Sequence, residues 1–250
     1  MAHKQPERVG CSGRGELLLV KRCLTLCRAF CITGARNTGG IYGSRGGIHA
    51  GEAANGGFPR PSGAGAGIYY HGLRVAREAI DLNRCLGLGA DDELLWAAGL
   101  FHDAGKGLEP HWLSSRALVM EHLAPLAGSP ATLEAVAYLV RYHAKRSDPA
   151  LLTPELRLLQ DADILDHRGC MQIWLAIGGA VASGGEPGQV AEEWAGQLRR
   201  KRRDEFRQML HFEESRQRFD RRLALEMDFY AALNAEIAGQ ECPDKEKIDG

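Results

Sequence analysis

The sequence predicts an all-α fold, a helical bundle of about six to seven helices, and three observations support this prediction. From Ile68 onward, apolar residues recur at the three- and four-residue spacing of amphipathic helices. No segment in this part of the chain shows convincing strand alternation. Helix-starting and helix-stopping residues divide the pattern into separate elements.

The helices follow in order from these start and stop residues. The first ends at Gly87, Asp91 or Asp92 caps the second, and Pro154 starts the fifth behind the N-cap residue Thr153. Gly184, among other glycines, marks the break before the last two helices. The predicted helices span about residues 68–86, 92–101, 115–126, 131–144, 154–177, 190–212 and 216–237.

The domain organisation follows from composition. Residues 1–66 are rich in Gly, Ala, Ser and Asn, a composition that buries too little apolar surface to order the chain, so we expect a disordered extension. Its cysteines at 23, 27 and 31 lack the second thiol pair of a typical zinc site. We expect one helical domain over residues 67–238 and a flexible tail over 239–250.

Charge and cysteine usage exclude several classes of function. A formal net charge of -1 gives no electrostatic reason to expect nucleic acid or an anionic membrane as a partner. No apolar run approaches the roughly 18 residues of a membrane span. Seven cysteines without a paired framework indicate reduced thiols and a cytoplasmic protein. The sequence leaves open whether the protein forms a homodimer.

A constellation of histidines and aspartates carries the chemistry. His102 and Asp103 follow each other where an apolar helix ends, which lets both side chains enter one cavity. His71 and Asp163 lie on the apolar sides of their predicted helices, where an unpaired charge would be costly. Two inward histidines and two inward carboxylates together predict a divalent-metal site, and His143 also faces inward.

The stretch Tyr70–Asp166 resembles the HD superfamily of metal-dependent phosphohydrolases, whose pattern is His…His-Asp…Asp across an all-α core. The text around His71, the Phe-His-Asp-Ala-Gly-Lys run at 101–106 and the Asp-Ala-Asp-Ile-Leu-Asp run at 161–166 all resemble that family. The resemblance implies hydrolysis of a phosphomonoester or phosphodiester on a small phosphorylated substrate, commonly a nucleotide. The metal, one of Mn, Mg, Fe, Co, Ni or Zn, would be held by His71, His102, Asp103 and Asp163.

Three residues receive catalytic roles on this reading. Asp103 would bridge two ions or orient a water molecule, and Lys106 would either neutralise phosphate charge or pair with a carboxylate. His143 would be a proton donor, a phosphate contact or a ligand to a second ion. One metal is favoured, with a two-metal form through His111 and His143 left open. The alternatives are a di-iron oxygenase on the same scaffold and a non-catalytic module that binds metal or nucleotide.

Overall fold

The structure, a computed structural model, describes residues 64–125, 127 and 129–241. The predicted extension 1–66, except its last three residues, and the tail from residue 242 onward lie outside these ranges. Within the described ranges, nine α-helices and one 3-10 helix form the regular structure and there is no strand, which confirms the all-α prediction. None of these helices is both long and apolar enough to cross a membrane.

We number the helices in chain order. They are α1 (Ala64–Leu86), α2 (Asp92–Phe101), α3 (His111–His122), α4 (Pro130–Tyr142), α5 (Pro154–Asp166), α6 (Cys170–Ala182), α7 (Pro187–Ala195), α8 (Gln197–Gln208) and α9 (Glu213–Ile237), with the 3-10 turn Pro149–Leu151 before α5.

Helices α1 and α2 approach each other almost backbone to backbone. A Cβ atom on Gly99 of α2 would lie 2.5 Å from the Cα of Ala76 in α1, and one on Gly72 of α1 would lie 2.7 Å from the carbonyl oxygen of Leu100. Such distances leave no room for a side chain at the two glycines unless the helices move apart. The close crossing brings the residues beside these glycines on both helices to the same place.

The main hydrophobic core lies between α1, α2, α4 and α5. Side-chain caps fix where two of these helices begin: Ser129 accepts a hydrogen bond from the backbone N–H of Thr132, and Thr153 accepts one from that of Leu156. The fully buried large side chains of this core include Tyr69, Leu82, Leu95, Leu100, Phe101, Leu139, Leu156, Leu158, Leu159 and Leu165. Burial of these side chains is the main favourable contribution to folding.

Two predicted helices are each divided in the structure. The element predicted over 154–177 ends at Asp166 and resumes at Cys170, because Gly169 adopts φ +69°, a left-handed conformation outside the helical range. The element predicted over 190–212 is interrupted at Gly196, whose ψ of 149° is extended. The helix predicted over 115–126 begins earlier, at His111. The described helices therefore outnumber the predicted six to seven.

The C-terminal helices α6, α7 and α9 share a smaller apolar cluster built on Val190, Ala191 and Tyr230. A buried carboxylate joins three of these elements: Glu226 of α9 accepts hydrogen bonds from the backbone N–H of Gly169 (2.7 Å) and from Nε1 of Trp194 (3.0 Å). Polar contacts thus connect this part of the molecule where apolar packing is thin.

Candidate metal centre

Two histidines from neighbouring helices face each other at the end of α2. His71 belongs to α1 and His102 directly follows α2, and their Nε2 atoms are 3.1 Å apart. Nδ1 of His71 lies 2.7 Å from Asp166 Oδ2, and Nδ1 of His102 lies 2.8 Å from the carbonyl oxygen of Gly99. Because both oxygens accept, both Nδ1 atoms donate. The Nε2 atoms are therefore the nitrogens that face the shared space.

Two carboxylates approach these Nε2 atoms from α5 and from the turn after α2. Asp163 Oδ1 is 3.4 Å from Nε2 of His71 and 3.7 Å from Nε2 of His102. Asp103 Oδ2 is 3.8 Å and 3.9 Å from the same two atoms. The structure thus brings the four ligands predicted from the sequence to one place.

The electrostatics of this place favour a positive charge between the imidazoles. Burial lowers the pKa of His71, but its interactions with Asp163 and Asp166 outweigh burial and raise that pKa to about 9. Burial raises the pKa of Asp163, yet its contacts with His102 and His71 hold it well below the usual range. Ionised carboxylates and imidazole nitrogens are the donor set that a divalent cation takes, and the residues fit such an ion.

A second group of possible ligands shares Asp103. Nε2 of His111, the first residue of α3, and Nε2 of His143 are each 3.7 Å from Asp103 Oδ1. One carboxylate oxygen of Asp103 therefore faces the His71–His102 pair while the other faces His111 and His143. Burial, followed by the charge of His102, lowers the pKa of His143 to about 4, so its imidazole is neutral at pH 7.

The same local device positions two of these histidines. His102 and His143 are the C-cap residues of α2 and α4, and each donates Nδ1–H to the carbonyl three residues earlier, that of Gly99 and that of Val140. The helix end turns both rings inward, and because Nδ1 is engaged by the backbone, Nε2 is the nitrogen left to bind a metal. A different contact positions His111. Gly105 packs closely against α3 and donates its backbone N–H to the hydroxyl of Ser115 in that helix, which brings His111, the first residue of α3, near Asp103.

Two basic side chains hold the aspartates. Lys106 Nζ lies 2.6 Å from Asp103 Oδ2, which is the carboxylate pairing considered from the sequence, and its side chain is 54% exposed. Arg146 donates to Asp163 Oδ2 (2.8 Å) and to the carbonyl of Gln160 (2.6 Å). Burial raises the pKa of Asp103, but the charges of His102 and Lys106 outweigh it and lower that pKa to about 2.

Sequence reasoning gave no role to several residues at this centre. Asp166 follows Asp163 by one helical turn, a spacing that puts both on one side of α5 and was visible in the sequence. Arg74 likewise follows His71 by three residues. Arg146 lies in an irregular segment after α4, and nothing local in the sequence indicates that it reaches α5.

Residues 68–168 match the family model described as the HD domain, a range that contains every residue of both groups. The same range ends just after α5, so α6 to α9 lie beyond it. A comparison with curated proteins finds no match.

Solved structures share the fold. Bacillus subtilis YpgQ is 19% identical with a TM-score of 0.59, and the match covers 90% of this chain and 99% of YpgQ. For YpgQ in complex with ADP the identity is 23% and the TM-score 0.51, covering 68% and 89%. A Lactobacillus plantarum protein is 16% identical with a TM-score of 0.52, covering 88% and 99%. At these identities the likeness establishes the fold alone.

Proposed function

We propose that the protein is a divalent-metal-dependent hydrolase of phosphomonoesters or phosphodiesters, since residues 68–168 match the model of the HD domain. The observation that supports this most directly is the convergence of the Nε2 atoms of His71 and His102 with oxygens of Asp103 and Asp163, all within 3.9 Å of a histidine nitrogen. We propose these four side chains as the metal ligands.

A divalent cation bound there would withdraw charge from a phosphoryl oxygen and lower the pKa of a coordinated water to about 7. The protein's own groups supply the rest. Asp103, ionised because its pKa is about 2, offers a negative oxygen to each histidine pair. Lys106 carries its ammonium group from the half-exposed side of the centre, where it would meet the negative charge of an incoming phosphate.

The Asp103–His111–His143 group supports a second ion. Its three ligand atoms lie within 4.8 Å of one another, and Asp103 presents a different oxygen to each group, as a bridging carboxylate does in two-metal sites. We therefore propose His143 as a ligand to this second ion. The proton-donor role expected from the sequence is the competing proposal for the same side chain.

The substrate class we propose is a nucleotide. The support is that YpgQ, which has the same fold, has been solved in complex with ADP, and that Lys106 supplies a cation beside the candidate metal ligands. A nucleotide phosphate would be bound by the metal centre and that ammonium group together.

The test is metal content and hydrolysis of the purified protein and three histidine or aspartate variants. We expect His102→Ala and Asp103→Ala to lose bound metal and the hydrolysis of nucleotides and general phosphoesters, with Mn, Mg, Co and Ni added in turn. His122→Ala, in α3 and outside both groups, is the matched control and keeps both. Full metal occupancy in Asp103→Ala would contradict the assignment, and consumption of O2 by an iron-loaded protein would favour the oxygenase.

His143→Ala decides between the two roles of that residue. Loss of one of two bound ions per chain supports the ligand role. One retained ion with a kcat lower by roughly 10²–10⁴-fold would instead support the proton donor. Unchanged metal content and unchanged kinetics would contradict both.

A further inference from the structure

We propose that Asp166, held by Arg74, is a positioning residue that fixes the ring orientation and tautomer of His71 for metal binding. This inference rests on the proposed function, since it concerns a ligand of the proposed metal centre. It assigns a role to a pair of side chains that the metal site itself does not include.

The contacts form a chain from solvent to the metal centre. Arg74 donates from Nε to Asp166 Oδ1 (2.6 Å) and from Nη2 to Asp166 Oδ2 (2.8 Å). Asp166 Oδ2 in turn receives Nδ1–H of His71 (2.7 Å). Asp166 is only 5% exposed, so these donors and the protein around it, rather than water, determine where its oxygens lie.

The consequence for His71 follows from the two nitrogens of its ring. An imidazole that donates Nδ1–H to a carboxylate has its Nε2 lone pair free for a metal, and the carboxylate also makes the ring a stronger ligand. Nε2 of His71 is the atom that faces His102 and Asp163. The carboxylate of Asp166 therefore selects the tautomer that the proposed metal centre requires.

Arg74 makes Asp166→Asn a sharp variant. Arg74 and His71 together place three N–H donors against the two oxygens of residue 166, and Oδ2 accepts two of them. An asparagine has a single acceptor oxygen, so in either orientation its amide NH2 group meets an N–H donor of Arg74. The substitution also removes the negative charge beside Nδ1, so residue 166 holds Nδ1–H of His71 more weakly and the ring loses its fixed orientation.

The chain offers a matched control on α1, the helix that carries His71 and Arg74. Glu78 of α1 is also a largely buried carboxylate paired with arginines, at 3.2 Å from Arg218 and 2.7 Å from Arg222 of α9. It links α1 to α9 and has no contact with a histidine in these pairs. Glu78→Gln therefore reports the effect of losing an ion pair of α1 without touching the metal centre.

The experiment measures the Kd for Mn²⁺ by calorimetry and the visible absorption bands of the Co²⁺-loaded protein. We expect Asp166→Asn to bind Mn²⁺ about 10–100-fold more weakly and to shift the Co²⁺ bands, the range found when a group that orients a metal ligand is removed. Glu78→Gln should leave both readouts at the wild-type values, although its Tm falls.

Arg74→Gln should weaken Mn²⁺ binding by less than Asp166→Asn, because the carboxylate still accepts from His71. Arg74 and Asp166 line a cavity of about 730 Å³ that water can enter, so a shorter side chain at position 74 leaves no dry void. Asp166→Asn with a wild-type Kd and unchanged Co²⁺ bands would overturn the inference while the proposed function stood. A wild-type protein that binds no divalent metal would overturn both.

Discussion

Two apolar helices of this protein have opposite environments. In α2, six of the ten residues are buried, whereas in α6 none of the thirteen is, and Trp174 and Val181 are 70% and 72% exposed. Helix α2 is enclosed because α1 and α4 cover it, and α6 has only the small cluster around Tyr230 beneath it. Apolar composition therefore predicts a helix but does not predict how far that helix is buried.

These two helices belong to two regions of the molecule, α1–α5 and α6–α9, and the contacts that hold the helices together differ between the regions. The α1–α5 region is held mainly by apolar packing, with polar groups concentrated at the candidate metal centre. The α6–α9 region depends on one buried carboxylate, since Glu226 is 0% exposed and lies 3.6 Å from Arg168 in addition to its two hydrogen bonds. Variants in each region should therefore have different consequences for stability and for metal binding.

The largest effect on stability is expected for Glu226→Ala. The variant removes the acceptor of the N–H groups of Gly169 and Trp194 and leaves Arg168 buried without its ion-pair partner, which should lower the free energy of unfolding by about 3–5 kcal/mol. Urea denaturation measures this loss.

The control for that variant is Glu236→Ala, which removes an exposed carboxylate from the same helix α9. It should change the free energy of unfolding by no more than about 0.5 kcal/mol. Because both carboxylates lie outside the candidate metal centre, calorimetry should give the wild-type Kd for Mn²⁺ in both variants. A Glu226→Ala variant as stable as Glu236→Ala would show that α9 is not anchored by this carboxylate.

A smaller change in the free energy of unfolding, of opposite sign in α2 and α6, is expected when one glycine of each helix is replaced by alanine. Gly99→Ala places a Cβ 2.5 Å from the backbone of Ala76 and should destabilise by about 1–3 kcal/mol through overpacking. Gly178→Ala meets nothing within 4 Å and should stabilise by about 0.5–1 kcal/mol, since alanine has the higher helix propensity.

Thermal melts of the two alanine variants and the wild type measure this pair. Gly99 also supplies the carbonyl that accepts Nδ1–H of His102, so its variant should bind Mn²⁺ more weakly as well. A shift of Tm in the same direction for both variants would contradict the contrast between a covered α2 and an exposed α6.

The last effect depends on pH and concerns the contact between the two regions, where His211 donates Nε2–H to Gln160 of α5 (2.8 Å). Burial, and then the charges of Arg146, Arg157 and Arg216, lower the pKa of His211 to about 4, below its ordinary 6.5. Between pH 6.5 and pH 4, His211 is therefore protonated in the unfolded chain but neutral in the folded chain. This histidine therefore makes stability fall as the pH is lowered from 6.5 to 4.

His211→Gln removes that titration and keeps a donor for Gln160. Denaturation at several pH values between 6.5 and 4 should show a smaller loss of stability in the variant than in the wild type. Parallel curves for the two proteins would show that His211 titrates alike in the folded and unfolded chains.

Most of the candidate metal ligands could be predicted from the sequence. His71, His102, Asp103 and Asp163 were nominated from helical faces and from one helix end, and the structure places them around one point. The role of His111 stayed open because a turn, and not a helix, connects it to Asp103, so no helical periodicity indicates where its side chain lies. The limits of the predicted domain at residues 67 and 238 and the site roles themselves stay predictions.

The helical fold class and the candidate ligands could be predicted from the sequence, because helix periodicity and capping are local properties of the chain. The sequence placed helix boundaries poorly at Gly169 and Gly196, where a single backbone conformation ends an otherwise continuous pattern. Three features could not be predicted from the sequence: the exposure of α6, the orientation of one Asp103 oxygen toward each histidine pair, and the contacts by which Arg74 and Asp166 orient His71. These depend on which helices pack together, and packing joins residues far apart in the sequence that local patterns do not connect.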